Sequence, residues 1–146
     1  AFQLLYQVIG RVGRGHGKGM VIVQSYDPKN PMLIAATKRD FGTFYSRALA
    51  ERRKFKFPPY SYLMKLVCRR LTLPGAQTAS LELKKLLQEK GLPVEIIGPA
   101  PSFYERRGKY YYWQLIIKTK NRAHLLALAQ DIPSGWSVDL DPIDLL

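Results

Sequence analysis

Two adjacent prolines, in Phe57-Pro58-Pro59-Tyr60, constrain this sequence more than any other feature. Each lacks a backbone donor and pushes the residue before it out of helical space, so no helix passes through them intact. The chain is therefore read as two stretches. Ahead of the prolines the pattern is helical and glycine-rich; behind them strand and helix patterns alternate.

In the first stretch Phe2, Leu4, Leu5, Val8 and Ile9 make a helical stripe with no capping residue before it, which reads as an element cut open at its N-terminus. A glycine-dense loop follows from Gly10 to Gly19, and Met20-Val21-Ile22-Val23-Gln24 then predicts a short buried parallel strand. Residues Pro31 to Thr37 and Asp40 to Lys54 read as helices. In the second, Asp40 is the cap, and Phe41, Phe44, Tyr45, Ala48 and Leu49 follow helical spacing.

Behind the prolines, Ser61 to Leu71 reads as a strand, and Gly75 to Lys90 as a helix with Ala79, Leu83, Leu86 and Leu87 on one face. Val94 to Gly98 is the next strand. Pro99-Ala100-Pro101 and Glu105-Arg106-Arg107-Gly108-Lys109 read as a loop, Tyr110 to Lys118 as a long strand, Asn121 as the cap of a helix to Gln130, and Trp136 to Leu140 as a last strand. The order β-α-β-β-α-β is the split βαβ pattern of ferredoxin-like folds.

A chain of 146 residues with 47% hydrophobic and 12% aromatic residues has the material for a real core. Its 23 lysines and arginines against 11 acidic residues give a net charge of +12, which points to a polyanionic partner. The excess is uneven: residues 1–70 hold 14 basic and 3 acidic side chains, residues 71–146 hold 9 and 8. One cysteine, Cys68, and two histidines, His16 and His124, exclude a disulfide framework and a four-ligand zinc site within this chain. No apolar run approaches the roughly 18 residues of a membrane span, so a cytoplasmic protein with no membrane partner is expected.

The octet Gln7-Val8-Ile9-Gly10-Arg11-Val12-Gly13-Arg14 carries the chemistry. Two arginines three apart, where a helix runs into a glycine turn, offer planar charged forks for phosphate oxygens, and the glycines let the backbone come close to a ligand. Forks placed this way stabilise charge on a transferring phosphoryl group. Gly17-Lys18 does not make a P-loop, because Val12 stands where its first glycine belongs and Gly19 where the magnesium-holding hydroxyl belongs. Further on, Arg106, Arg107 and Lys109 precede Tyr110, Tyr111, Tyr112 and Trp113, which puts phosphate-pairing charges beside rings on which unpaired bases stack. On a strand one alternating pair of those rings packs inward and the other stays available.

The octet resembles motif VI of superfamily 2 helicases. The ordered set narrows this. Gln7 to Arg14, Met20 to Gln24 with Asp27-Pro28, and Ala50-Glu51-Arg52-Arg53 leading to Pro58-Pro59 are followed by Gly98-Pro99-Ala100-Pro101, Arg107 to Tyr112 and Trp136 to Pro142. Together they resemble the C-terminal part of the PriA-type primosomal replication-restart helicases over essentially all of the chain.

That resemblance implies the end of a second RecA-like lobe over residues 1–38, a helical connector over 39–59 and a split βαβ DNA-binding domain over 60–146. It implies an ATP-dependent 3′ to 5′ DNA helicase that binds forked or single-stranded DNA and restarts stalled replication through primosome assembly, as a monomer. Gln7, Gly10, Arg11 and Arg14 would contact ATP, with Arg11 and Arg14 catalytic across the cleft between two lobes. The ligands of Mg2+ and the family's zinc would lie outside this chain, which alone is expected to be inactive. Arg52, Arg53, Lys54, Arg106, Arg107, Lys109, Tyr110 and Tyr112 are the candidate DNA contacts. Arg122 stands where the family holds the tail of single-stranded-DNA-binding protein, although Leu126 lacks the polar character that this role asks for.

The other candidates read as structure: Cys68 as a buried strand residue, Asp139 and Asp141 as a solvated edge or an arginine salt bridge, His16 as surface. Two other readings of the chain remain at this stage. One is a stand-alone nucleic-acid-binding module of ribosomal-protein type without ATPase activity; the other is an interaction domain whose basic face docks an acidic partner.

Overall fold

A computed structural model describes residues 2–12 and 19–145. The chain divides into two compact units, Ala1–Lys54 and Phe55–Leu146.

The regular elements among the described residues of the first unit are all helices: α1 (Phe2–Arg11), α2 (Pro31–Thr37) and α3 (Phe41–Lys54). Pro31 opens α2 at a position where its missing N–H is no loss, and the Asn30 side chain accepts from the Met32 amide. Ala35 and Ala36 are its buried residues. Asp40 caps α3 as its sequence position predicts, its Oδ1 accepting from the Thr43 amide at 2.9 Å. That helix buries no residue fully; Phe44, Ala48 and Leu49 are half-buried, while Phe41 and Tyr45 stack on each other in the open at 5.9 Å.

The expected buried strand at Met20 to Gln24 is corrected. These residues belong to no strand, and Met20 and Ile22 are each 81% exposed. Val21 and Val23, half-buried, line a depression with Ile9, Val12 and Thr37. The segment keeps a two-residue alternation of exposure, but a β-branched run becomes a strand only with a neighbour to pair with. The described residues of this unit contain no strand.

The second unit follows the order β1 (Tyr62–Arg70), α4 (Leu73–Glu89), β2 (Glu95–Arg107), β3 (Tyr110–Thr119), α5 (Arg122–Gln130) and β4 (Trp136–Leu140). The strands form one antiparallel sheet in the order β2-β3-β1-β4, which is the split βαβ arrangement the pattern predicts. Met64 and Leu66 of β1 and Leu115 and Ile117 of β3 point to the helix side. There they meet Leu83 and Leu87 of α4 and Leu125 and Leu128 of α5, all inaccessible or nearly so. Each such burial contributes about 1.5–3 kcal/mol, so this layer is the main source of the unit's stability.

Two details differ from the sequence reading. Helix α4 starts at Leu73, capped by Thr72 whose Oγ1 accepts from the Gly75 amide, and its dry face runs through Ala76, Ser80, Leu83 and Leu87, leaving Leu86 exposed. The expected loop from Pro99 to Lys109 is mostly strand: β2 runs on to Arg107 and pairs with β3 through Arg106 opposite Tyr111 and Arg107 opposite Tyr110. The prolines are tolerated because β2 is an edge strand and carries irregularities on either side of them, where missing donors break no ladder. Only Gly108-Lys109 is left as a two-residue hairpin turn, with φ +61° at Gly108, where such turns select glycine.

Gly98 sits at the first irregularity with φ +99°, and a Cβ built there would lie 2.9 Å from the Gln114 carbonyl oxygen. Gly108 has open space around it. Gly98→Ala is expected to cost about 2–5 kcal/mol, from backbone strain and overpacking together. Gly108→Ala should cost on the order of 1–2 kcal/mol from backbone strain alone. Urea midpoints measured at unchanged slope check the ranking, and equal midpoints would refute it.

The Asp40 carboxyl is held below its usual 3.8, first by the Thr43 side chain, then by the Thr43 amide, with Lys38 adding a smaller effect. A lowered folded pKa stabilises above the unfolded value and loses that stabilisation as pH falls through the folded one. Hydrogen-exchange protection of the Thr43 amide should therefore be full at neutral pH and decline below 3.8. Asp40→Asn should keep the cap and remove the pH dependence.

Candidate nucleic-acid interface

Strand alternation sends every second residue of the sheet away from the helices. On that open side the registers align Leu63 with Lys118, Lys65 with Ile116, Val67 with Gln114 and Arg69 with Tyr112. Part of this face is covered by the chain itself. The Asp141 amide donates to the Leu63 carbonyl at 2.9 Å, Lys65 Nζ reaches the Asp144 carbonyl and Gln114 Nε2 the Leu145 carbonyl. What stays open is the end of the sheet at the β2–β3 turn.

At that end five cations gather: Arg69 and Arg70 from β1, Arg106 and Arg107 from β2, and Lys109 from the turn. None of the five makes an ion pair among the described residues. Their contacts are rings and carbonyls. The Arg69 guanidinium lies 4.5 Å from the Tyr110 ring centre and Lys109 Nζ 5.5 Å from the same ring. The Arg107 guanidinium lies 4.8 Å from Tyr104 and 5.8 Å from Tyr112, and Arg106 5.5 Å from Tyr111. Arg106 Nε donates to the Gly108 carbonyl at 3.1 Å, and Arg70 Nη1 to the carbonyls of Arg69 and Gly135. Cation–ring contacts of this exposed kind are worth about 0.5–1 kcal/mol each, enough to order the side chains without neutralising them.

The structure thus brings Arg107, Lys109, Tyr110 and Tyr112 together, with Tyr110 and Tyr112 both on the open side and half-buried, while Arg106, opposite Tyr111, belongs to the other side of the same hairpin end. Sequence reasoning missed Arg69, Arg70 and Tyr104. Arg69 was legible in principle, since alternation along β1 puts it on the side opposite buried Cys68. Tyr104 was not, because it lies where β2 advances five positions from Pro101 to Arg106 while β3 advances two. No pattern of residue types announces an irregularity of that size.

In the first unit, Gln7, Gly10 and Arg11 fall at i, i+3 and i+4 on α1 and line one depression with Tyr6. Arg11 ends the helix and is exposed. The Arg39 guanidinium approaches the Tyr6 ring to 5.7 Å and lies 3.6 Å from the position a Gly10 side chain would take, which adds a cation the sequence reading did not include. Arg14 and His16 lie outside the described residues. Arg52, Arg53 and Lys54 form the basic last turn of α3.

A family profile described as the primosomal protein N C-terminal domain matches residues 53–143. The chain belongs to this family. Residues 53–143 take in all four strands, both helices of the second unit and every residue of the basic hairpin end. Relatives extend the likeness to the first unit. Replication restart protein PriA of Synechocystis is 34% identical over 99% of this chain and 18% of its own length. The PriA of Bacillus subtilis is 34% identical over 96% and 18%, and that of Treponema pallidum 30% over 100% and 24%. The chain thus spans about a fifth of the length of these relatives, and it carries the C-terminal domain of a primosomal protein.

Within this primosomal domain the remaining candidates have the following surroundings. Cys68 is fully buried, its Sγ near the Ser80 hydroxyl and the Ala76 carbonyl. Arg122 pairs with Asp141 at 3.1 Å at the start of α5, and Asp139 lies opposite Lys65 on β1. Among the described residues no group of three or more His, Cys, Asp or Glu side chains forms a metal site, and no helix is long and apolar enough to cross a membrane.

Proposed function

We propose that this chain is the C-terminal part of an ATP-dependent 3′ to 5′ DNA helicase that restarts stalled replication, and that its second unit binds single-stranded or forked DNA through the basic hairpin end. The observation that carries the DNA reading is the cluster of five cations without a carboxylate partner, interleaved with Tyr104, Tyr110, Tyr111 and Tyr112. Phosphates neutralise the charges, and unpaired bases stack on ring faces or on the guanidinium planes held there. Family membership supports the replication setting, with primosome proteins and single-stranded-DNA-binding protein as partners of a monomeric cytoplasmic protein. Arg122, beside Asp141, is the proposed contact for the latter.

The ATPase reading rests on the first unit. Gln7, Gly10 and Arg11 share one helix face, as residues reaching for one bound nucleotide must. In this reading Arg11 and Arg14 stabilise transition-state charge on ATP held by another part of the protein. The phosphate loop, the ligands of Mg2+ and the zinc site lie in that other part, so the residues of this chain supply charge and no cradle. The alternative of a stand-alone module gains support from the closed core of the second unit, but it gives the octet no task.

The chain alone is expected to bind a labelled single strand with a log-log salt slope of about −0.7 per phosphate contact. Replacing Arg106, Arg107 and Lys109 together with alanine should flatten that slope by about two units. Binding with unchanged affinity and slope would move the DNA face elsewhere, to the basic end of α3 first.

The purified chain should hydrolyse no ATP, and DNA-stimulated turnover by it would refute the division of labour. In the full-length protein Arg11→Ala should lower turnover by orders of magnitude while DNA affinity stays within a few-fold. Unchanged turnover would reduce the octet to a surface loop and favour the module.

A further inference from the structure

At the opposite end of β3 from the hairpin turn, the second unit has a cleft of about 370 Å3. Lys56, Lys118, Lys120, Asn121 and His124 line it, with Tyr60 and Pro93 as its apolar wall and Glu95 as its one carboxylate. Lys118 is the unusual member. It is 9% exposed, on a strand whose neighbouring positions Ile117 and Thr119 are also buried. Its ammonium donates to the Phe55 carbonyl at 3.2 Å and sits 4.4 Å from the Phe57 ring centre. Glu95 is directly opposite in the β2–β3 ladder, yet the two form no ion pair. An ammonium has three donors, and one carbonyl satisfies one of them.

Keeping a charge at such low exposure without a counterion is costly, and an anion in the cleft would offset that cost. Here the surroundings select the counterion. Lys56 and Lys120 add two further positive charges at the same cleft, and Asn121 and His124 stand at the start of α5, where the helix dipole favours an anion. His124 Nδ1 is fixed by Thr119 Oγ1 at 3.3 Å, which orients its ring at the cleft. Tyr60 and Pro93 provide apolar surface for whatever carries the anion.

We infer that this cleft is a phosphate-binding subsite with Lys118 at its base, and that the phosphate is carried by a nucleic-acid strand or by a free nucleotide. Tyr112 and Lys118 are six residues apart on β3, roughly 20 Å at about 3.4 Å per residue, so the subsite is separate from the hairpin end. Its failure and the failure of the hairpin reading are therefore distinguishable.

Backbone amide shifts of the whole chain test it. Inorganic phosphate is added against chloride at constant ionic strength, followed in separate titrations by thymidine 5′-monophosphate and a short oligothymidylate. Saturable shifts are expected from Thr119 to His124 and not at Gly108 or Lys109 when inorganic phosphate is the probe. A mononucleotide that saturates the same amides more tightly than phosphate identifies a free nucleotide as the source; an oligonucleotide that shifts the cleft and the hairpin end in one titration identifies the strand. Lys118→Met removes a charge that has no carboxylate partner and keeps a side chain of similar length, so it should fold as the wild type does and lose the cleft response. Should it fail to fold, Lys56→Ala with Lys120→Ala, both at solvent-exposed positions, should weaken the response several-fold. A non-saturating drift shared by all basic residues, or a Lys118→Met response equal to that of the wild type, overturns the proposal.

Discussion

Pairing Leu66 with Leu115 and Met64 with Ile117 places four apolar side chains on the helix side of the sheet. By the same two-residue period it delivers Arg69, Tyr112 and Lys118 to the other side. A slip of one residue would exchange the two sets, burying arginine against α4 and exposing leucine, so the core fixes the register far more firmly than any surface contact could. The hairpin end and the phosphate cleft have their positions because β3 is central and long. One strand carries both, near its two ends, and neither needs a contact of its own to stay in place.

The edge strand does a different job. Pro99 and Pro101 deny β2 a continuous ladder, and Gly98 and the stretch from Pro101 to Arg106 take up the mismatch as two irregularities. A strand broken in this way makes a poor template for pairing with another chain, which protects the exposed edge. It also lets Phe103 and Tyr104 swing out, each more than half exposed, before the strand resumes at Arg106. The Tyr104 ring thereby reaches the Arg107 guanidinium from one side while Tyr112 approaches from β3. Preorganised arginine loses less freedom on meeting a phosphate than a free side chain does, so in the proposed DNA reading the rings would serve charge recognition as well as base stacking.

Where residue type and period agreed, the sequence was legible. Helix α2 and strand β4 have the limits their patterns predict, because Asn30-Pro31 and Gly135-Trp136 mark their starts with local chemistry. Asp40 and Asn121 cap as expected, each through its own side chain. Legibility failed where a local signal depended on distant partners. The prolines of β2 read as a loop because their tolerance follows from edge position, which only the strand order reveals. Met20 to Gln24 read as a strand because β-branched residues favour one, yet propensity is silent about whether a pairing neighbour exists. Arg69 was passed over because its importance lies in a cross-strand neighbour, Tyr112, 43 positions later in the chain.

Charge shows the same limit. Counted by halves the basic excess belongs to residues 1–70, but the units divide at Lys54, and on that division the second unit takes Lys56, Lys65, Arg69 and Arg70 from the basic half. Net charge along the sequence therefore says less than where burial leaves each cation. At the hairpin end the arginines are in water, so each costs little unpaired, and their clustering is what favours a polyanion. Lys118 stands in a different situation: its side chain has little exposure, its ammonium meets the Phe55 carbonyl and no carboxylate, and Lys56 and Lys120 share its cleft, so low exposure and like charge together make the local demand for an anion. On the two proposals, clustering would set the salt dependence at the hairpin end and the low exposure of Lys118 would set the preference of the cleft for a compact anion, so the two ends of β3 would meet the same chemical group by different physics.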